Sequence, residues 1–458
     1  MDGWRIGIST QTPLVRWGGG HAKVPEVEEV EVAPGLVAPR LRQFHVSPGG
    51  VARMVLQSIR AWHGAGRLAR ASWFSLQPLG PARVDLEGLP VELHHLRLPP
   101  DVLAGYARTK EKMWADLHGL AATPFGAEDF RAFMAYNAAT SDAILATAPD
   151  LDAVYIHDFQ LLQVGAMVGL AAPCVLRWHV PFDARRIPPY TRNFVLRMME
   201  SFDAVIVSTR RDLEGLSNAG FRGNVRQVYP HTEPADWAPP TAQAAQEFEA
   251  LTGLTPDQKV VLCVARMDPM KRQDVLLQTM ALLRRRHPDA RLVLVGNGSF
   301  SGSHGAGLGL TKSGRWRARL EEMARELDVA DRTLFTGWMP DELVAAAYAR
   351  ADLLVLPSDV EGFGLTPFEA WGYRKPCVLT TGCGASEVVQ DGVTGRTVPP
   401  NDPGAMAGAL DDLLSHPEAG ARMGEAGRIA LQSFTASAAA GAEWGVIEEA
   451  RRRFRRQA

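Results

Sequence analysis

Two glutamates, Glu361 and Glu369, bracket seven residues in the stretch Asp359-Val360-Glu361-Gly362-Phe363-Gly364-Leu365-Thr366-Pro367-Phe368-Glu369-Ala370. Gly362 and Gly364 let backbone amides come close to a ligand. Amides at the start of a helix point at an anion such as a diphosphate. Thr366 suits an N-cap and Pro367 the first helical position. A plainer reading competes. Thr366-x-x-Glu369 is a capping box, in which Glu369 only satisfies backbone donors, and Glu361 is an ordinary surface residue. That reading leaves two glycines and a second glutamate on the same turn unexplained. Upstream, Val264-Ala265-Arg266-Met267-Asp268-Pro269-Met270-Lys271-Arg272 carries two cations five residues apart, Arg266 and Lys271. Alone they are surface residues. At a strand end ahead of the glutamate pair, they are two fixed positive charges that stabilise a departing phosphate group and stand in for a metal.

Weaker signals lie in the first half. His45-Val46-Ser47-Pro48-Gly49-Gly50-Val51-Ala52 is a glycine turn opening a helix. Tyr155-Ile156-His157-Asp158-Phe159-Gln160 and Arg177-Trp178-His179-Val180-Pro181-Phe182 each end a strand. A lone histidine or aspartate is more often structural, but two neighbouring strand ends open on the same side of a parallel sheet.

The elements that must position these residues are short apolar runs. Val260–Ala265, Arg291–Gly296, Asp352–Pro357 and Pro376–Leu379 read as strands buried on both faces, the mark of a parallel sheet covered by helices. Between them lie helical patterns such as Gln273–Arg286, with Leu276, Met280 and Leu283 on one face. In the first half the candidate strands are Arg5–Ser9, Ala71–Leu76, Val91–Leu96, Val154–His157, Val175–His179, Ala204–Val207 and Val225–Tyr229, with a helix over Val51–Trp62. Strand–helix alternation predicts two doubly wound α/β halves. Their join falls in the proline-rich stretch from Pro230 to Pro240. A helical pattern runs from Ala421 to Arg455, its terminal arginines suiting the helix dipole. Ser299–Gly314 is a low-complexity insertion.

Composition excludes several classes. A chain of 458 residues is long enough for two domains. Its formal net charge of −2 gives no basic field for nucleic acid. The cysteines Cys174, Cys263, Cys377 and Cys383 form no CxxC pair, so neither a zinc site nor a disulfide scaffold is indicated and a reducing compartment fits. No secretory leader and no run of about 18 apolar residues is visible, so a cytoplasmic protein without stable membrane insertion is expected.

The glutamate pair with its glycine turn, and the Arg266/Lys271 pair, resemble the signature of retaining glycosyltransferases of the GT-B fold, in the large family 4 group. The resemblance implies two Rossmann-like doubly wound domains with an inter-domain cleft. Residues 1–238 would form the acceptor domain and 239–435 the nucleotide-sugar donor domain, while 436–458 would be a helix packing back on the first. Gly49-Gly50-Val51-Ala52, Ile156-His157-Asp158, Trp178-His179 and Arg266-Met267-Asp268-Pro269 together look like the glycosyltransferring trehalose synthases. His157-Asp158 and His179–Phe182 are also similar to trehalose-6-phosphate synthases. The likeness covers about residues 45–435. Gln160-Leu161 replaces the usual residues after the aspartate, and residues 1–43 have no clear counterpart.

By that resemblance, Glu361 meets hydroxyls of the donor sugar and Glu369 the ribose. The amides of Gly362, Phe363, Gly364 and Leu365 hold the diphosphate, with Gly49 and Gly50 against the donor and Trp338-Met339 near the base. His179 touches the sugar, and His157 and Asp158 lie on the acceptor side. The expected reaction moves a hexose, glucose in the trehalose subgroup, from a nucleotide-diphosphate sugar to a small sugar or polyol with retention. The leaving phosphate itself takes the acceptor's proton. No metal or cofactor beyond the substrates is expected, nor a nucleic-acid partner. The oligomeric state is not legible, a homodimer being one option. Competing readings are a glycoside phosphorylase, against which a ribose-binding Glu369 argues, transfer to a sugar phosphate, and a sugar-nucleotide sensor without turnover.

Overall fold

A computed structural model describes residues 3–17, 29–33, 36–39, 44–46, 50–76, 83–86, 88–120, 125–297 and 308–457 of the chain. The chain forms two compact units. One comprises residues 1–230 together with 436–458, and the other residues 231–435.

The sheet of the first unit is built from β1 (Trp4–Ser9), β2 (Leu68–Leu76), β3 (Arg83–Leu86), β4 (Leu89–Leu96), β5 (Ala153–His157), β6 (Cys174–Arg177), β7 (Ala204–Val207) and β8 (Val225–Gln227). Its spatial order is β8-β7-β6-β5-β1-β2-β4-β3, parallel except for β3 at one edge. Alternate residues feed two cores, as a period of two dictates. Tyr155, Val175, Ala204 and Ile206 pack under helix α1 (Gly50–Gly64) and the helix 436–457. Val154, Ile156, Leu176 and Val205 pack on the opposite face with Phe133, Tyr136 and Val195.

The last helix (Ala436–Gln457) is fastened to the first unit by large side chains. The Trp62 indole N–H donates to the Ala440 carbonyl at 2.8 Å. The Trp444 ring lies 5.0 Å from that of Trp4 and 5.5 Å from that of Trp62. Arg451 stacks over Trp4 at 4.1 Å and pairs with Asp152.

The second unit contains β9 (Lys259–Val264), β10 (Ala290–Val295), β11 (Thr333–Gly337), β12 (Leu353–Leu356), β13 (Cys377–Thr380) and β14 (Arg396–Val398). They form one parallel sheet in the order β11-β10-β9-β12-β13-β14. The winding reverses between β9 and β12 here, and between β1 and β5 in the first unit. In such sheets ligands bind beyond the carboxyl ends of the strands at the reversal.

Three boundaries depart from expectation. The join falls at 230/231 and not at 238/239. Trp237 belongs to the second unit because its indole packs on Gly372 and under Arg428, whose guanidinium sits 4.7 Å from the ring. The helical pattern from Ala421 to Arg455 breaks at Leu431–Phe434, where Phe434 packs on Phe368 (4.8 Å) and its carbonyl accepts the Thr232 amide at 3.1 Å. A helix, Leu308–Glu326, begins inside the segment read as a low-complexity insertion, while residues 298–307 lie outside the described ones.

Candidate active site

In the second unit, the chain leaves β9 through Ala265 and Arg266 into a short turn, Pro269–Lys271. The Asp268 carboxylate caps that turn by accepting the Met270 amide at 3.0 Å. The Ala265 backbone is clamped from the next loop. A Cβ on Gly296 would stand 2.0 Å from the Ala265 carbonyl oxygen, so only glycine fits there. The loop after β12 is tied to the first by the Asp359 amide, which donates to the Met270 carbonyl at 3.1 Å. These ties bring Lys271 and Glu361 together as an ion pair at the reversal point, both largely but not wholly buried. Ser358 Oγ lies 3.4 Å from the same Glu361 oxygen. Half-buried Arg266 makes no ion pair among the described residues. Buried Gln273 holds its carbonyl at 2.8 Å and in turn accepts the Trp316 indole N–H at 2.9 Å.

The turn between the glutamates is rigid. The Glu361 amide donates to Gly382 O (3.1 Å), and the amides of Gly384 and Ala385 donate to the carbonyls of Glu361 (3.2 Å) and Phe363 (2.8 Å). Gly362 and Phe363 are buried. Gly364 has φ of +85°, and a Cβ there would meet Leu356 Cδ2 at 2.9 Å. Glycine is required by both conformation and space.

The capping box is not formed. Leu365 is the N-cap of the helix Thr366–Gly372, no side chain caps it, and Pro367 follows the first helical residue. Thr366 already has a helical backbone, so its hydroxyl does not reach the amides ahead. Glu369 uses its backbone amide on Leu365 O (3.1 Å), while its carboxylate accepts the Tyr348 hydroxyl. Burial, then the Glu369 charge, pushes the Tyr348 phenol well above its usual range. Tyr348 stacks flat on Tyr373 at 5.5 Å. Beyond β11, Trp338 is 54% exposed and Met339 is buried.

In the first unit, β5 and β6 bring His157, Asp158 and His179 together. Asp158 turns the chain at φ +69°, its amide donating to Arg177 O at 2.8 Å. Burial pushes its carboxyl up to about 7, against the opposing pull of the Phe159, His179 and Val180 amides. His157 Nδ1 and His179 Nε2 are 3.0 Å apart, with the rings nearly parallel. Burial, then the Arg177 guanidinium, holds His157 well below the usual imidazole range. His179 is depressed by burial, by His157 and by Arg177. Gly50 is the exposed first residue of α1, and Gly49 lies outside the described residues. Among the described residues no group of three or more His, Cys, Asp or Glu is placed to hold a metal ion, and no helix is long and apolar enough to cross a membrane.

Sequence reasoning missed Tyr348, Gln273 and the buried Arg177–Glu443 pair. Tyr348 follows alanines on a helix face that reads as core. Gln273 ties Arg266, seven residues before it, to Trp316 on a later helix, and the partner of Arg177 comes from far along the chain, which no local spacing signals.

Two family models match the chain. One, described as glycosyl transferases group 1, matches residues 245–430. The other, described as trehalose synthase, N-terminal domain, matches residues 104–213. The chain is 32% identical to a GDP-mannose-dependent alpha-(1-6)-phosphatidylinositol monomannoside mannosyltransferase of Mycolicibacterium smegmatis, over 59% of this chain and 72% of that protein. It is 32% identical to a D-inositol 3-phosphate glycosyltransferase of Mycolicibacterium vanbaalenii over 50% of this chain, spanning only 49% of that relative's length. Among solved structures it resembles an alpha,alpha-trehalose-phosphate synthase (UDP-forming) from Burkholderia xenovorans in complex with glucose-6-phosphate, with a TM-score of 0.74, 17% identity, and 97% and 100% of the two chains covered. At that identity the likeness is one of fold, and the fold is GT-B.

Proposed function

Because the chain belongs to the group 1 glycosyltransferases and is a hexosyltransferase of the GT-B fold, we propose that it moves a hexose, glucose in this reading, from a nucleotide-diphosphate sugar to a small sugar or polyol with retention of configuration. The observation that carries the reading is the Lys271–Glu361 pair at the reversal point of the donor sheet, with Arg266 on the same segment after β9. Arg266 and Lys271 neutralise the diphosphate as its bond to the sugar breaks. This supplies the charge a metal would otherwise bring. Glu361 orients sugar hydroxyls, and the rigid Gly362–Leu365 turn offers amides to the phosphates. Glu369, steadied by Tyr348, takes the ribose, and Trp338 lies toward the base.

On the acceptor side, Asp158 and His157 meet the incoming hydroxyl, and Gly49, Gly50 and His179 hold the transferred sugar. The proton passes to the leaving phosphate, so no second carboxylate is needed at the reacting carbon. The trehalose-synthase model over residues 104–213 supports a free sugar as acceptor. A sugar phosphate is the second reading, favoured by the resemblance to a structure with glucose-6-phosphate bound. We place the enzyme in the cytoplasm, where its four free, buried cysteines stay reduced.

The test is a matrix of UDP-, GDP- and ADP-linked glucose and mannose against glucose, glucose-6-phosphate, inositol phosphate and a phosphatidylinositol mannoside, with product linkage read by NMR. An α-linked disaccharide from a nucleotide glucose is expected. Product only with inositol phosphate or lipid would sink the small-sugar reading, and an inverted linkage would sink retention.

A further inference from the structure

Arg177 is fully buried at the end of β6, and the carboxylate that balances it comes from the far end of the chain. Its guanidinium NH1 lies 3.8 Å from Glu443 Oε1, and Glu443, on the helix Ala436–Gln457, is itself buried. The other Glu443 oxygen accepts the Ser58 hydroxyl of α1 at 2.9 Å. Arg177 stands in register with His157 of β5, so both side chains leave the sheet on the same face. The His157 Nδ1 to His179 Nε2 separation of 3.0 Å is a hydrogen bond only if one proton sits between the two nitrogens. A second proton would set two N–H groups against each other. The guanidinium cannot give up its charge, so it opposes that second proton. The groups facing the pair are Tyr155 of β5, Asp158 after it, Arg177 of β6 and, through Arg177, Glu443 and Ser58.

We propose that Arg177 and Glu443 are a positioning pair for the transfer reaction: through them the C-terminal helix fixes the single proton shared by His157 and His179, and so fixes how His179 presents its remaining nitrogen to the transferred sugar. A neutral imidazole meets a sugar hydroxyl as donor or acceptor according to where its partner holds the proton, whereas an imidazolium can only donate. The helix therefore does more than cover the apolar face of the sheet. Neither Arg177 nor Glu443 touches substrate in this account, which rests on the placement of His179 at the sugar.

The decisive variant replaces both charges at once, R177M/E443L. Removing one partner leaves a buried charge uncompensated and risks the fold, whereas an apolar pair of similar size preserves it. Nitrogen-15 NMR of the histidine side chains, assigned with H179Q, should show both rings neutral in the wild type across about pH 5 to 8. In the double variant burial still keeps both rings neutral, but the proton between them should no longer favour one nitrogen, which the ring nitrogen-15 shifts report. The folded variant should lose kcat roughly 10-fold with donor KM little changed. Nitrogen-15 shifts that match those of the wild type overturn the proposal. Shifts that change while kcat remains that of the wild type overturn it too, by removing His179 from the sugar and not Arg177 from the histidines. Neither result depends on which hexose or acceptor is used.

Discussion

On the segments that follow β9 and β12 in the second unit, Lys271 pairs with Glu361, Arg266 stands five residues before Lys271, and Glu369 accepts from Tyr348. At the reversal of the first unit stand two imidazoles held neutral and a carboxyl lifted to about 7. Both crevices are made by the same winding of a parallel sheet. They differ because one leaves its ionic groups partly exposed, while the other encloses its groups among apolar side chains and a buried guanidinium. The first arrangement suits a charged diphosphate. The second suits neutral hydroxyls, which a neutral imidazole meets as donor or acceptor.

The comparison breaks most simply at the charged crevice. R266A/K271A should lower kcat by at least about 10³-fold, since each fixed cation at a departing phosphate contributes on the order of 10²–10³. Circular dichroism and the melting temperature should stay near those of the wild type. Retained turnover would remove the charged crevice from the chemistry.

The neutral crevice is sharpened by pH. Imidazoles that stay neutral when folded but bind protons when unfolded make stability fully present above about pH 6.5 and lost below it, by about 1.4 kcal/mol per pH unit for each ring. Asp158 acts in the opposite sense. Its raised pKa makes the folded state take the proton first, so falling pH returns about the same amount per unit from about 7 down to 4. Between about pH 6.5 and 5 the net loss for the three groups should be that of one histidine, and Asp158→Asn should steepen it to two. Denaturant unfolding of wild type and variant across that window measures the slope, and equal slopes would contradict the burial of Asp158.

Two smaller effects separate the parts of the charged crevice. Tyr348→Phe removes the donor to Glu369 and should weaken nucleotide binding about 10-fold by calorimetry, near the 1.5 kcal/mol of a hydrogen bond to a charged group. Trp338→Ala should raise donor KM only about 3-fold, because a half-exposed ring gives up little on truncation.

The charged crevice was also the more legible of the two in sequence. Val260–Ala265 and Asp352–Pro357 are apolar on both faces and announce central parallel strands, and the glutamate spacing sits at the end of one of them. Strands β11 and β14 were not recognised: Thr333-Leu334-Phe335-Thr336-Gly337 mixes polar and apolar residues, and Arg396-Thr397-Val398 is too short for any period. Both are edge strands, where burial does not impose a pattern. The capping box matched in sequence and failed in structure because a rigid turn at Gly364 starts the helix one residue earlier than the motif requires. Arg177 and Glu443 escaped for another reason. A buried charge pair reads as two ordinary surface residues until the fold joins them across most of the chain.

The first unit is assembled from both ends of the described chain, and this bears on how the protein is made. While residues 231–435 are still being synthesised, the ribosome has delivered β1 to β8 but not the helix 436–457. For roughly 10–40 s at ordinary translation rates, Trp4 and Trp62 lack Trp444, and Arg177 lacks its counter-charge. The nascent first unit is then an apolar surface around an unbalanced cation, a substrate for a chaperone more than a finished domain. Chains released at residue 435 should be captured or degraded, however completely the second unit has folded.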